Sequence, residues 1–363
     1  MFAHLSLPVL LLAFAAAGVA VWIAGGHLSD TTDVLLGRLG IGQALGGVVL
    51  LAVVTNLPEV AITVSAALEG RLDVATGNIL GGIAIQTVVL VVLDAFGFAE
   101  EDALTYRAAS LVLVLEGVLV LAELAVVVLG TQLPASIMVA RVPPACLLVV
   151  VLWVVGLWLI GKAQKDLPWQ NNGTKPPTDD EAKAQGAAKD KQDEAPKDKQ
   201  PARHQASTAR TVLVFGAAAA ATLVAGTVLE RSGNTIAERL GISGVLFSAT
   251  VLAGATGLTE ISIGLRAIKL GNYQLAVSDV FGGNAFLPVL FLLASVVAGQ
   301  SVLPHAGRSD LYLTALGMLL TCVYLYGLIF RPQRQLARLG IDSLLVLVLY
   351  VLGMVGLAFI GQR

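Results

Sequence analysis

Arg38-Leu39-Gly40-Ile41 opens a 45-residue segment, 38–82, that is written again over 239–283, beginning Arg239-Leu240-Gly241-Ile242. The copies lie 201 positions apart and align without a gap, with sixteen identities. Among these are Thr55 and Thr256, Glu59 and Glu260, and the pairs Gly81-Gly82 and Gly282-Gly283. Each copy is apolar enough to enter a bilayer, yet carries a glutamate near its middle. A carboxylate at that depth costs roughly 2.5 kcal/mol or more even on insertion scales. Bearing that cost twice, at matched positions, points to the use of both groups on one ion or solute.

The surrounding chain agrees with a membrane setting. Of 363 residues 56% are apolar and 13% charged, and the mean hydropathy is +0.82, a composition of multi-pass membrane proteins. A spanning helix needs about 20 mainly apolar residues. Ten stretches qualify, at 5–25, 43–68, 72–96, 107–129, 137–161, 211–229, 244–268, 273–298, 311–330 and 343–361. The first lacks the basic flank of a signal peptide and aligns with the sixth, so it reads as a retained helix. Cys146 and Cys322 fall within apolar spans and read as small core residues. Residues 162–210 are rich in Lys, Asp, Glu, Gln, Pro and Ala and read as a hydrophilic, disordered linker. The division is therefore 1–161 as a first membrane repeat, 162–210 as linker, and 211–363 as a second repeat.

Five spans separate equivalent helices of the two copies. An odd number reverses direction across the membrane, so the fold class is an all-α membrane protein of about ten helices in two inverted five-helix repeats. Secondary transporters commonly use that architecture, with broken helices and a binding site where the repeats meet. Of the Lys and Arg residues, six fall on the side holding the N-terminus and 17 on the other, ten of the 17 within the linker. The bias places the linker in the cytoplasm and both termini outside, in a bacterial-type inner membrane.

Local chemistry then defines a candidate site. Pro58 has no N–H, so the carbonyl of Val54 loses its helical donor and must be satisfied by protein, water or an ion. Thr55 and Glu59, four apart, share one helix face, with Ala52 a further turn down. In the second copy Gly254 and Gly257 replace proline as the loosening element, and Thr256 and Glu260 repeat the pairing, with Ala253 equivalent to Ala52. Nineteen residues beyond each glutamate stand Asn78 and Asp279, just ahead of the paired glycines, which permit a helix break or a close approach. Carboxylates, hydroxyls, carbonyls and amides make an all-oxygen set. Such a set suits a hard cation such as Ca²⁺, which takes about 6–8 oxygens, and not zinc or copper.

Thr55-Asn56-Leu57-Pro58-Glu59 with Gly77-Asn78-Ile79-Leu80-Gly81-Gly82, and Thr256-Gly257-Leu258-Thr259-Glu260 with Asp279-Val280-Phe281-Gly282-Gly283-Asn284, resemble the two alpha-repeats of the sodium/calcium exchanger superfamily. The matched segments run over 38–86 and 239–287. The resemblance implies that Glu59 and Glu260 are the acidic calcium ligands. It adds hydroxyl or backbone oxygens of Thr55 and Thr256, and carbonyls of Ala52 and Ala253. Departures from the family pattern concentrate at its sodium ligands. The serine of the family's Gly-Ser-Asn turn is Gly82 in one copy and Gly283 in the other, and the polar residue four positions later is Gln86 in the first and Leu287 in the second. Three outcomes stand open: sodium bound by backbone and water, protons replacing sodium with Glu59 and Glu260 titrating, or altered transport.

The expected function is antiport of a divalent cation, Ca²⁺ foremost, against Na⁺ or H⁺ by alternating access. A cation channel or a non-transporting cation-binding protein is the alternative. Glu116 and Glu123, two turns apart in the fourth span, read either as an accessory proton path or as groups that face a wet crevice or pair with a cation in a neighbouring helix; Asp94, near a span end, reads as interfacial. No Cys/His, Ser/His/Asp or phosphate-loop arrangement supports an enzyme, and no cofactor is implied. The expected partners are inorganic cations and the lipid bilayer, without nucleic acid; the sequence names no protein partner.

Overall fold

The computed structural model describes residues 2–39, 48–97, 103–138, 142–164, 207–269, 271–333, 335–336 and 338–361. Most of the linker therefore lies outside the described residues, as do 40–47 in the first repeat. What is described is helical apart from a two-residue hairpin pairing Gln335–Leu336 with Leu339–Gly340.

The first part of the chain forms α1 (Leu7–Leu39), α2 (Val48–Thr55), α3 (Leu57–Leu68), α4 (Leu72–Gly97), the short α5 (Leu104–Ala108), α6 (Leu111–Thr131) and α7 (Pro144–Ala163). The second part forms α8 (Thr208–Leu240), α9 (Gly244–Phe247), a π-helical turn (Ser248–Leu252), α10 (Ala253–Thr256) and α11 (Leu258–Lys269). It continues with α12 (Tyr273–Phe286), a 3₁₀ turn (Leu287–Val289), α13 (Leu290–Ala298), α14 (Arg308–Phe330) and α15 (Ile341–Gly361). Among the described residues nine helical stretches are long and apolar enough to cross a membrane. The chain is an all-α, multi-pass integral membrane protein.

Several boundaries differ from the hydropathy reading, each for a physical reason. The expected span 43–68 is partly outside the described residues; its described part is α2 and α3, interrupted at Asn56 (φ −90°, ψ 15°). Pro58 sits in the first turn of α3, where its missing N–H costs nothing. The spans expected at 5–25 and 211–229 are 33-residue helices, about 50 Å long at 1.5 Å per residue. Polar residues lower the hydropathy of their distal ends without ending the helix. Gly241 ends α8, adopting the left-handed conformation (φ +68°) that a side chain disfavours. The paired glycines act differently in the two halves. Helix α4 runs unbroken past Gly81-Gly82, whereas the helix after Gly282-Gly283 tightens to 3₁₀ over Leu287–Val289, at Pro288.

Helices α1 and α8 lie along each other, and each also packs on a repeat helix of the other half, α8 on α3 and α1 on α11. A Cβ on Gly25 of α1 would stand 2.4 Å from Thr259 Cγ2, and one on Gly226 of α8 would stand 2.9 Å from the Pro58 carbonyl. Only glycine permits these approaches. Helix α4 lies against the π turn just as closely, since a Cβ on Gly81 would be 2.3 Å from Ala249 Cα.

Polar ties cross between the halves at two further places. Ser65 Oγ donates to Glu230 Oε2 at 2.9 Å, and Arg231 Nε meets Glu69 Oε1 at 2.8 Å. Arg71 bridges Glu69 and Glu230, whose side chain is 0% exposed. Between α1 and α11, Asp30 pairs with Arg266, both partly exposed. Asp94 is 2% exposed, and its carboxylate accepts from the N–H of Leu104 at 2.7 Å and of Gly340 at 2.6 Å, tying both segments to the end of α4.

Candidate cation site

The two chain interruptions bring the predicted residues together. At the first, Asn56 ends the α2 ladder. Its side-chain Nδ2 donates to the Ala52 carbonyl at 2.7 Å, its N–H reaches the same oxygen at 3.3 Å, and the Thr55 hydroxyl does so at 3.3 Å. At the second, the Ala253 carbonyl accepts from the Gly257 N–H at 2.9 Å and from the Thr256 hydroxyl at 3.0 Å. Both carbonyls named from the sequence thus already accept hydrogen bonds. The hydroxyl oxygens of Thr55 and Thr256 keep their lone pairs for another partner.

Beyond each interruption a short helix begins with its glutamate in the first turn, Glu59 on α3 and Glu260 on α11. The N-terminal end of a helix favours negative charge. The carboxylates are 1% and 2% exposed and close enough for their charges to interact, with Asp279 of α12 a further negative neighbour of Glu260 and Thr256 beside Glu59. Gln86 on α4 joins the halves: its Nε2 donates to Glu260 Oε1 at 2.9 Å and to Asn56 Oδ1 at 3.0 Å. Asn78 is placed differently, donating to the Glu59 main-chain carbonyl at 3.4 Å and to Thr63 Oγ1 at 3.3 Å. It braces α4 against α3 beneath the glutamate.

The acceptors left over define the chemistry. Both carboxylate oxygens of Glu59, Glu260 Oε2 and Gln86 Oε1 are buried without a hydrogen-bond donor. Buried acceptors of this kind require a cation or protons. No group of three or more His, Cys, Asp or Glu gathers among the described residues. Two carboxylates, an amide and two hydroxyls make up the candidate cation site.

The positions of the missing serines are occupied. A Cβ on Gly283 would lie 2.9 Å from Asn56 Nδ2 and 3.2 Å from Gln86 Oε1, and one on Gly82 would lie 3.0 Å from Leu287 Cδ1. Each glycine thus faces the variable position of the other copy, amide at one and leucine at its counterpart. Asn56, Thr63 and Ser278 are site-adjacent residues that the sequence reading left without a role. Asn56 had a signal, a lone amide in an apolar helix. The partners of Thr63 and Ser278 follow only from packing.

An all-helical membrane fold with two acids buried together at matched chain interruptions defines a transporter-type protein. A family model described as sodium/calcium exchanger protein matches residues 9–161 and 210–359. The chain belongs to the sodium/calcium exchanger family, whose general activity is cation/calcium antiport, and it is a transporter, not an enzyme. It is similar to the CaxA protein of Alkalimonas amylolytica, named as a candidate antiporter, at 27% identity over 292 residues, 77% of this chain and 78% of that one. The solved H⁺/Ca²⁺ exchanger CAX shares its fold with a TM-score of 0.66 at 13% identity, over 97% of this chain and 86% of that one. The sodium-calcium exchanger NCX_Mj does so with a TM-score of 0.60 at 13% identity, over 96% and 99%.

Proposed function

We propose that the protein exchanges Ca²⁺ for protons, binding the divalent ion between Glu59 and Glu260. One observation carries this reading: four acceptor oxygens from Glu59, Glu260 and Gln86 are buried in one place with no donor. Two carboxylates match the charge of one divalent ion, and the Thr55 and Thr256 oxygens extend a hard, all-oxygen shell. Asp279 adds negative potential beside Glu260. Asn78 holds the backbone under Glu59 through its Nδ2, while its Oδ1 is buried without a donor.

A specific observation favours the proton over sodium. Where sodium-coupled relatives carry serines, this chain has glycines whose space is taken by Leu287 and by the Asn56 and Gln86 amides. Those side chains crowd the positions from which serine hydroxyls would reach an ion. With no cation, two bare buried carboxylates would cost several kcal/mol each, so the site crosses the membrane only when loaded with Ca²⁺ or neutralised by protons. That requirement enforces exchange.

The reading takes residues 1–161 and 211–363 as inverted repeats that swap roles as access alternates. It places the 162–210 linker in the cytoplasm of a bacterial-type cell and both termini outside. Calcium uptake into proteoliposomes tests it. Uptake should follow an outward proton gradient and ignore a sodium gradient, and Glu59→Gln or Glu260→Gln should abolish it with expression retained. Sodium-driven uptake would reassign the counter-ion, and near-normal uptake in either mutant would remove the glutamates from the site.

A further inference from the structure

Two buried acids remain that the divalent site does not use. Glu116 and Glu123 on α6 are 3% and 0% exposed; seven residues apart, they lie two turns along one helix face. Ser278 of α12 donates to Glu116 Oε1 at 2.8 Å. Glu116 Oε2 and both oxygens of Glu123 meet no donor. No ion pair reaches either glutamate among the described residues.

The elements packed against α6 carry cationic groups only near their ends, Lys162 of α7, Arg308 of α14 and His305 of the 3₁₀ turn Leu303–His305. None forms an ion pair with either glutamate among the described residues. Helix α12 brings Asp279, next to Ser278, and Tyr273, whose hydroxyl accepts from Arg107 at 3.2 Å. Helix α14 brings Asp310, which accepts from the Gly307 N–H at 2.7 Å, and Tyr324, whose hydroxyl is 3.2 Å from Ser343 Oγ. Helix α7 brings Cys146, whose sulfur is 3.9 Å from Ser295 Oγ. An unpaired, desolvated carboxylate is strongly disfavoured in such surroundings. Each of these groups rests most easily as the neutral acid, and each loses that proton only when water or positive charge reaches it.

We propose that Glu116 and Glu123 form a second, proton-carrying locus of the exchanger, linked to the divalent site through Ser278. The proposal rests on the proton as counter-ion. Ser278 precedes Asp279, the negative neighbour of Glu260, so α12 presents one residue to each locus. When a divalent ion loads, its positive charge favours loss of the α6 protons. In that step a carboxyl O–H bond breaks, the proton passes to water, and a carboxylate remains. Proton return reverses it, with no other bond changed. Ion and protons thereby displace one another, as antiport requires.

The test counts protons. Full-length protein in weakly buffered detergent receives Ca²⁺ pulses while a pH dye reports release and Ca²⁺ binding is measured in parallel. Glu123→Gln is expected to bind Ca²⁺ like the wild type but to release fewer protons, by about one per ion. In proteoliposomes it should lose about tenfold or more of gradient-driven uptake while retaining Ca²⁺–Ca²⁺ exchange, which needs no proton. Glu116→Gln should behave alike, and Glu123→Asp should restore both readouts. Unchanged proton release in the Gln variants overturns the proposal; so does equal loss of driven uptake and Ca²⁺–Ca²⁺ exchange, the mark of a structural role. If Glu116→Gln fails to fold, Glu123→Gln decides alone. Wild type that binds Ca²⁺ without releasing protons would remove the proton as counter-ion itself. Normal release that the variants leave intact would remove only the role of α6.

Discussion

The two copies of the repeat contribute the same glutamate but surround it differently. Around the first stand Asn56, Pro58 and Gln86; the second has Gly257, Thr259 and Leu287 at those positions. The Gln86 amide of the first copy crosses over to serve the second, donating to Glu260, while the Glu59 carboxylate oxygens lie buried without a donor. Duplication thus preserved the acids and divided the supporting roles. One carboxylate is held in place, and the other is left to meet the ion.

Making the copies alike at the variable pair should have the largest effect. Gln86→Leu leaves Glu260 Oε1 and Asn56 Oδ1 without their donor; each orphaned buried group costs about 1–3 kcal/mol. Calcium uptake should fall by tenfold or more, with about 1.4 kcal/mol per tenfold, and uptake within twofold of wild type would show that the bridge is idle. The reciprocal Leu287→Gln should retain uptake and gain inhibition by sodium, because it adds an oxygen where sodium-coupled relatives have one.

The two ties between the halves give a smaller contrast. Breaking the buried one with Glu230→Gln leaves Arg71 half-served and should cost about 1–3 kcal/mol. Breaking the exposed one with Asp30→Asn should cost less than about 1 kcal/mol. Thermal unfolding in detergent would rank them, and equal shifts would mean that burial does not separate them. A glycine pair sets a silent substitution against a crowded one. Gly254 has open space around it, so Gly254→Ala should be neutral or slightly stabilising. Gly81→Ala, which drives a methyl to 2.3 Å from Ala249 Cα, should lose about 1–3 kcal/mol by overpacking. Comparable melting temperatures would contradict that packing.

Much of this was legible from residue types and spacing. The gapless repeat, Thr55 with Glu59, Thr256 with Glu260, and the apolar spans all depend on local pattern, which the chain states directly. The Gln86–Glu260 contact joins residues 174 positions apart; spacing within one helix carries no information about it. Asn78 is a candidate for the oxygen set from its spacing, nineteen residues beyond Glu59. Its actual partners, Thr63 and the Glu59 carbonyl, depend on the rotation of α4 against α3, which periodicity leaves open. Helix α1 outran its hydropathy window because Asp30 is compatible with helix and finds Arg266 of α11, a tertiary event.

Gly25 and Gly226 occupy equivalent places, 201 apart, on the two 33-residue helices. Each rests on the residue just ahead of the opposite half's glutamate, Thr259 before Glu260 and Pro58 before Glu59. A helix of about 50 Å overshoots a hydrocarbon layer of roughly 30 Å, so α1 and α8 must lean and their ends must emerge. They therefore act as crossed tillers: each is rooted by sequence in one half and steers the acid of the other. Any tilt change imposed at an emergent end, by membrane thickness for instance, is delivered to the peptide bond beside a glutamate of the candidate site.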